Sequence, residues 1–274
     1  MKKRLNRFLK VRSRNITNKP LKDIEVPITS IYRAGSTTPS SEITKRREFI
    51  EINTAESCRI SGSKIEMKKR FVHAKVRTPR FFMCKGVESC RSRCKYYLSK
   101  WDTGIIAKRY NSSKGNGLFR ITDENSLNDF LNGKNDLEIK KWIFERFSTY
   151  TKEYRLHITK DGCFYACRKM LKNDAEVRWH RHDENSVWIT EENELFHKPS
   201  TWDAIVEDCV KALKSVGLDI AAFDIKVQSD NVREPKHLIL ECNSAPGLGE
   251  IGLNKYREKL TELINKKYNE KYGL

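Results

Sequence analysis

The sequence predicts an α+β fold in which antiparallel sheets carry helices on one face. Three observations lead there. Strand-like runs come in adjacent pairs joined by turn residues, as 105–108 with 118–121 and 153–159 with 164–170. Other stretches repeat apolar residues at three-to-four spacing, as in Trp202–Val216, where Ile205, Val206, Cys209, Val210, Leu213 and Val216 recur. The two kinds of element are mixed along the chain, with several strand pairs lying next to one another.

In order, residues 1–62 read as a short α/β unit: a basic helix at the start, a strand through 28–32, the turn Gly35-Ser-Thr-Thr-Pro39, and a strand over 49–53. Residues 64–76 are helical, with Ile65, Phe71 and Val72 in a mostly basic segment, and Pro79 forces the chain out of that conformation. A short strand follows at 81–83. Strands at 105–108 and 118–121 flank a Ser/Gly loop, a helix covers 126–131, and three strands follow at 142–147, 153–159 and 164–170. Beyond Trp202–Val216 come two more strands and a closing helix at 256–268, with Leu260, Leu263 and Ile264 on one side. The expected lobes are 1–62, 63–138 and 139–274.

A chain of 274 residues buries a real core without staples. Lys and Arg total 54 against 36 Asp and Glu, a formal +18, which favours polyanionic partners: ATP, nucleic acid or an acidic protein. No apolar stretch follows the basic start and none approaches the roughly 20 residues of a membrane span. The expectation is therefore a cytoplasmic protein, with no membrane partner and reduced thiols. Cys90 and Cys94 fit half of a zinc motif within the loop-like run 84–94, and His180 and His182, far along the chain, alternate as on one face of a polar strand; without a matching second pair, ordinary thiols are expected.

The chemistry concentrates near the C-terminus. Leu238-Ile-Leu-Glu241-Cys-Asn243 is a strand whose alternation puts Glu241 and Asn243 on one face, before Pro246-Gly247. Two adjacent oxygen ligands suit a hard cation such as Mg²⁺, which takes the rest of its shell from water and nucleotide phosphates. Asp224, on a second strand-like run, supplies a third oxygen. Upstream, the glycines of Asn111-Ser112-Ser113-Lys114-Gly115-Asn-Gly117 permit backbone N–H groups to wrap a phosphate, although such a loop is also ordinary hairpin chemistry. Lys108 ends an otherwise apolar run, where an ammonium calls for an anion. Glu145 closes another strand before Arg146 and Phe147, and Glu153 and Arg155 share a face; their plain alternative is an ion pair worth less than about 1 kcal/mol if exposed.

Taken in order, Lys64 before a helix, Ile-Ala-Lys108 with its Ser/Gly loop, Phe-Glu145-Arg-Phe, Glu153-Tyr-Arg155, Arg168, Asp224-Ile and Glu241-Cys-Asn243 resemble the motifs of ATP-grasp enzymes, from about residue 50 to 253. The chain looks closest to carboxylate–amine ligases such as ribosomal-protein glutamate ligases and small viral amidoligase-like proteins. The resemblance implies two α+β subdomains gripping ATP behind a short leading lobe. It implies Lys64 and Lys108 on phosphates, loop 112–117 closing over them, Glu145, Arg146 and Phe147 framing adenine, and Glu153 on the ribose. It places Asp224, Glu241 and Asn243 on Mg²⁺, two ions by family habit and with Mn²⁺ as a substitute, and Arg155 and Arg168 at the γ-phosphate or acylphosphate. The implied partners are a carboxylate substrate and an amine acceptor, with a peptide or protein among the candidates. A second reading, less favoured, is a basic nucleic-acid or acidic-partner binder using the aromatic and basic residues of 80–101.

Overall fold

A computed structural model describes residues 8–12, 15–17, 24, 26, 28–37, 48–110, 117–181, 184–229 and 232–273. Ser112, Ser113, Lys114, Gly115 and His182 lie outside the described residues.

The first unit is a sheet of order β2-β1-β3-β4, from β1 (Phe8–Arg12), β2 (Asn15–Thr17), β3 (Ser30–Arg33) and β4 (Ile50–Ile52). β1, β3 and β4 run parallel, so this unit departs from the antiparallel expectation. The helix expected at the basic start is strand from Phe8 onward, and residues 1–7 are outside the described set. α1 (Ala55–Gly62) and α2 (Lys64–His73) follow, capped by Thr54 and Ser63, whose side chains accept from the N–H groups of Ser57 and Glu66.

The second sheet has the order β5-β8-β6-β7 and is antiparallel throughout. β5 (Phe81–Met83) leads into α3 (Val87–Leu98), then β6 (Ile105–Arg109), β7 (Leu118–Ile121), α4 (Glu124–Leu131), α5 (Asp136–Ile139) and β8 (Trp142–Arg146). Helix α3 corrects the loop expected over 84–94. Cys84, Cys90 and Cys94 are buried there among Phe82, Trp101 and Ile105, spending their thiols as small apolar groups.

The third sheet, order β11-β10-β9-β12-β13, is likewise antiparallel. β9 (Lys152–Thr159), β10 (Gly162–Leu171) and β11 (Ser186–Thr190) precede α6 (Trp202–Val216), β12 (Ile220–Val227), β13 (His237–Asn243) and α7 (Glu250–Tyr272). Tyr154, Leu156, Phe223 and Ile225 cover one face of this sheet with α1, α2 and α6, through Cys58, Met67, Phe71, Cys209 and Leu213. On the opposite face His157 and Ile220 pack against Tyr256 of α7 at one end, and the rest carries the charged side chains Glu153, Arg155, Asp224 and Lys226.

Asn53 ties the first unit to the third sheet. It sits at φ 60 with its N–H donating to Asp219 Oδ2 (2.8 Å), its Oδ1 accepting from the Asp219 N–H (2.8 Å) and its Nδ2 donating to the Ile220 carbonyl (3.0 Å). These bonds fix the start of β12, four residues before Asp224. β8 bonds to β5 and β6, so the second sheet runs on to Arg146, past the division expected at 138.

Candidate active site

The charged face of the third sheet and one face of the second meet across a gap, and the strand registers decide what enters it. In the third sheet Asp224 lies opposite both Arg155 and Glu241, Lys226 opposite Glu153, and Asn243 opposite Ala222. In the second sheet Ile106 lies opposite Arg120 and Glu145, which puts these two on the same face as Lys108, two residues along β6. α2 adds Lys64 and Lys68, one turn apart.

Glu145 is the buried centre of the lysine cluster. Lys108 Nζ donates to its Oε2 at 2.8 Å, and Lys68 Nζ stands 3.4 Å from its Oε1. Lys68 also donates to Thr78 Oγ1 (2.7 Å), which donates to the Ile239 carbonyl (2.8 Å) and so anchors α2 to β13. Burial lowers Lys68 to about 8. Burial acts against the Glu145 carboxylate too, but Lys108 and Lys68 outweigh it and hold Glu145 below the usual range. Lys64 is lowered by burial, partly offset by Glu241.

Across the gap Arg155 forks onto Asp224, Nε to Oδ1 at 2.7 Å and Nη2 to Oδ2 at 2.9 Å. That pair overcomes burial and keeps Asp224 ionised, whereas burial and the Asp224 charge push Glu241 up. Asn243 Nδ2 donates to Glu241 Oε1 (3.3 Å) and Asp224 Oδ2 (3.4 Å), so three oxygen-bearing groups converge. Two carboxylates sharing one half-buried spot, one shifted toward its neutral form, fit a hard divalent cation, toward which the Asn243 amide would turn its oxygen.

Further along, Phe147 lies under the Arg120 guanidinium (4.3 Å) and the Lys226 ammonium (5.4 Å), with Trp179 edge-on. The backbone N–H groups of Arg146 and Phe147 donate to the Arg80 and Gly104 carbonyls, and the Phe147 ring is what this turn presents. The Arg146 side chain leaves the site for Asp102 (2.8 Å). Glu153, raised by burial, stands 3.6 Å from Arg181. Lys226 falls to about 8 through burial, with neighbouring cations adding to the effect. Arg120 Nε and Arg181 Nε are buried without a hydrogen-bond partner. Gly117 (φ +74) turns the chain into β7.

Arg168 is not brought to this cluster. It pairs in register with Tyr154 on the helix-covered face and donates to the Leu195 carbonyl (3.3 Å). A bulge between Cys163 and Tyr165 sets the register, and the cation that β10 turns to the gap is Lys169, opposite Glu153. Lys68, Lys169, Lys226, Arg120 and Arg181 are the residues the sequence reading missed. Counted with Lys64, Lys108 and Arg155 they make eight cations against Glu145, Glu153, Asp224 and Glu241, a surplus that suits a polyanion.

The layered architecture is the ATP-grasp fold, as comparison with solved structures shows. The ATP-grasp ligase PsnB, in complex with a phosphomimetic variant of its minimal precursor, Mg and ADP, matches at TM-score 0.56 and 16% identity over 80% of this chain and 63% of that one. The D-alanine–D-alanine ligase of Bacillus anthracis matches at TM-score 0.56 and 14% identity over 78% and 66%. An ATP complex of carboxyaminoimidazole ribonucleotide synthase from Aspergillus clavatus matches at TM-score 0.53 and 12% identity over 72% and 48%. This chain thus spans less than two thirds of each of these structures. No protein-family model and no curated protein matches the sequence.

Proposed function

We propose that the chain is an ATP-dependent, ADP-forming carboxylate–amine ligase acting through an acylphosphate. The observation that carries this is the pairing, across one gap, of the Asp224–Glu241–Asn243 oxygen cluster with the Lys108–Glu145–Lys68 cluster, whose Lys108 and Lys64 both feel Glu241. Lys108 and Lys64 bind the nucleotide phosphates, the exchange drawing Lys108 off Glu145. Phe147 packs the base side and Glu153 takes the ribose. Asp224, Glu241 and Asn243 would hold Mg²⁺, which when bound would neutralise charge on the transferring phosphoryl group. A substrate carboxylate attacks the γ-phosphorus in line, giving acylphosphate and ADP; an amine then attacks the acyl carbon, phosphate leaves, and an amide forms. Arg155 steadies the negative charge on the phosphoryl and tetrahedral oxygens. No protein side chain becomes covalent, so positioning and electrostatics supply the rate.

The division into a short leading lobe and two gripping subdomains is kept, with the second junction moved to 147–151. The peptide precursor bound by PsnB supports a peptide as one substrate class here. No helix among the described residues is long and apolar enough to cross a membrane.

The test is nucleotide product analysis with Mg-ATP and pooled amino acids or peptides. ADP and phosphate that require both an added substrate and Glu241 support the reading, with Glu241→Gln slower by at least about 100-fold. Formation of AMP and pyrophosphate would overturn it.

A further inference from the structure

Trp188 is a large aromatic residue left 39% exposed on the edge strand β11, directly opposite Lys169. Its ring faces the charged side of the sheet. Arg155 Cζ stands 4.6 Å from the ring centroid and Lys169 Nζ 5.1 Å. Arg155 therefore has two anchors: its edge is forked onto Asp224 and its plane lies on Trp188. A guanidinium stacked in this way loses less freedom for each hydrogen bond it makes. Both Asp224 oxygens are taken up by Arg155, and one of them, Oδ2, is the oxygen beside Asn243, where a cation shared with Glu241 would bind.

We infer that Trp188 is a positioning residue: it holds Arg155 on Asp224 in the metal-free protein, so that loading a divalent cation and releasing Arg155 toward the phosphoryl group are a single exchange. The inference rests on the metal-site reading above. Because Arg155 competes with the cation for Asp224, weakening the stack strengthens metal binding. Loss of a cation–π contact of roughly 1 kcal/mol corresponds to a tightening of about fivefold.

The experiment is Mn²⁺ binding to the full chain, followed through the electron paramagnetic resonance of the free ion, with no nucleotide present. Trp188→Leu is expected to bind Mn²⁺ about three to ten times more tightly than the wild type, and Trp188→Phe, which keeps a ring, to stay within about twofold. Arg155→Lys keeps the charge but loses the fork and the stack, and it is expected to bind more tightly as well. In that background Trp188→Leu should have no further effect, a non-additivity that a purely structural role would not produce. Equal Mn²⁺ affinity in wild type and Trp188→Leu, or additive effects in the double variant, overturns the inference and leaves the metal site standing. Absence of Mn²⁺ binding in every protein, or binding indifferent to Glu241→Gln, overturns the metal-site reading as well. Trp188 is on an edge and well exposed, and circular dichroism of each variant confirms that a folded protein is being compared.

Discussion

A buried carboxylate between two ammonium groups, as Glu145 is between Lys68 and Lys108, owes its ionised state to them, and Lys68 is the partner that stays when phosphate draws Lys108 away. Lys68→Met leaves Glu145 with one partner and an oxygen facing apolar surroundings, so it is expected to cost about 3 kcal/mol or more in chemical denaturation. Lys68 and Lys226 also carry a pH signature. Each is lowered from 10.5 to about 8, so the unfolded chain holds the proton more tightly. Their burial penalises the fold below about pH 8, and the penalty fades as pH rises toward 10.5, where both states are neutral. Phosphates restore the charge. Calorimetry of ATP binding near about pH 8.5, in buffers of different ionisation enthalpy, should therefore show proton uptake. Lys226→Met should remove part of that uptake, and a buffer-independent enthalpy would count against these lysines facing the nucleotide.

At the scale of the element, one glycine governs how β6 meets the turn after β8. Gly104 has φ +83, and a Cβ there would lie 2.8 Å from the Ile121 carbonyl oxygen. Its own carbonyl accepts the Phe147 N–H. Gly104→Ala is expected to lose about 1–3 kcal/mol of stability and to weaken ATP binding by displacing Phe147, read as a lower Tm together with a raised KM for ATP. Elements also show what the sequence could carry. Period-two alternation was enough to put Glu241 beside Asn243, and the same count from Asp224 reaches Lys226, a residue that could have been found. Arg168 rested on the resemblance alone; beyond the bulge at 163–165 the register pairs it with Tyr154 on the helix-covered face, and a bulge leaves no mark in a Cys-Phe-Tyr run. Helix α3 was missed because its inner stripe, Val87, Cys90, Cys94 and Tyr97, is set among Lys85, Arg91, Arg93 and Lys95 just after Gly86, where basic composition and a glycine read as a loop. The parallel pairing of β1, β3 and β4 joins strands far apart in sequence, which short-range pattern does not encode.

For the molecule as a whole, the cations facing each other across the gap repel one another, and a bound polyanion removes that repulsion. Mg-ATP at about 100 times its Kd should stabilise the fold by about 2.7 kcal/mol, seen as a rise in Tm of about 5 °C or more. The gain should shrink as salt screens the gap. The ATP-grasp fold was legible at this scale because its motifs keep their order along the chain even where single motifs are ordinary turns. Which side chains share the gap was not legible, since that depends on how two sheets face each other.

The most direct test of the account is the affinity for ATP, with and without Mg²⁺, of the wild type, Lys108→Met, Glu241→Gln and Arg168→Ala. The account predicts that Lys108→Met loses tenfold or more in either condition, that Glu241→Gln loses chiefly the Mg²⁺-dependent part, and that Arg168→Ala binds like the wild type. Equal binding by Lys108→Met and wild type, or a loss in Arg168→Ala as large as that in Lys108→Met, would contradict a nucleotide site in the gap between the second and third sheets.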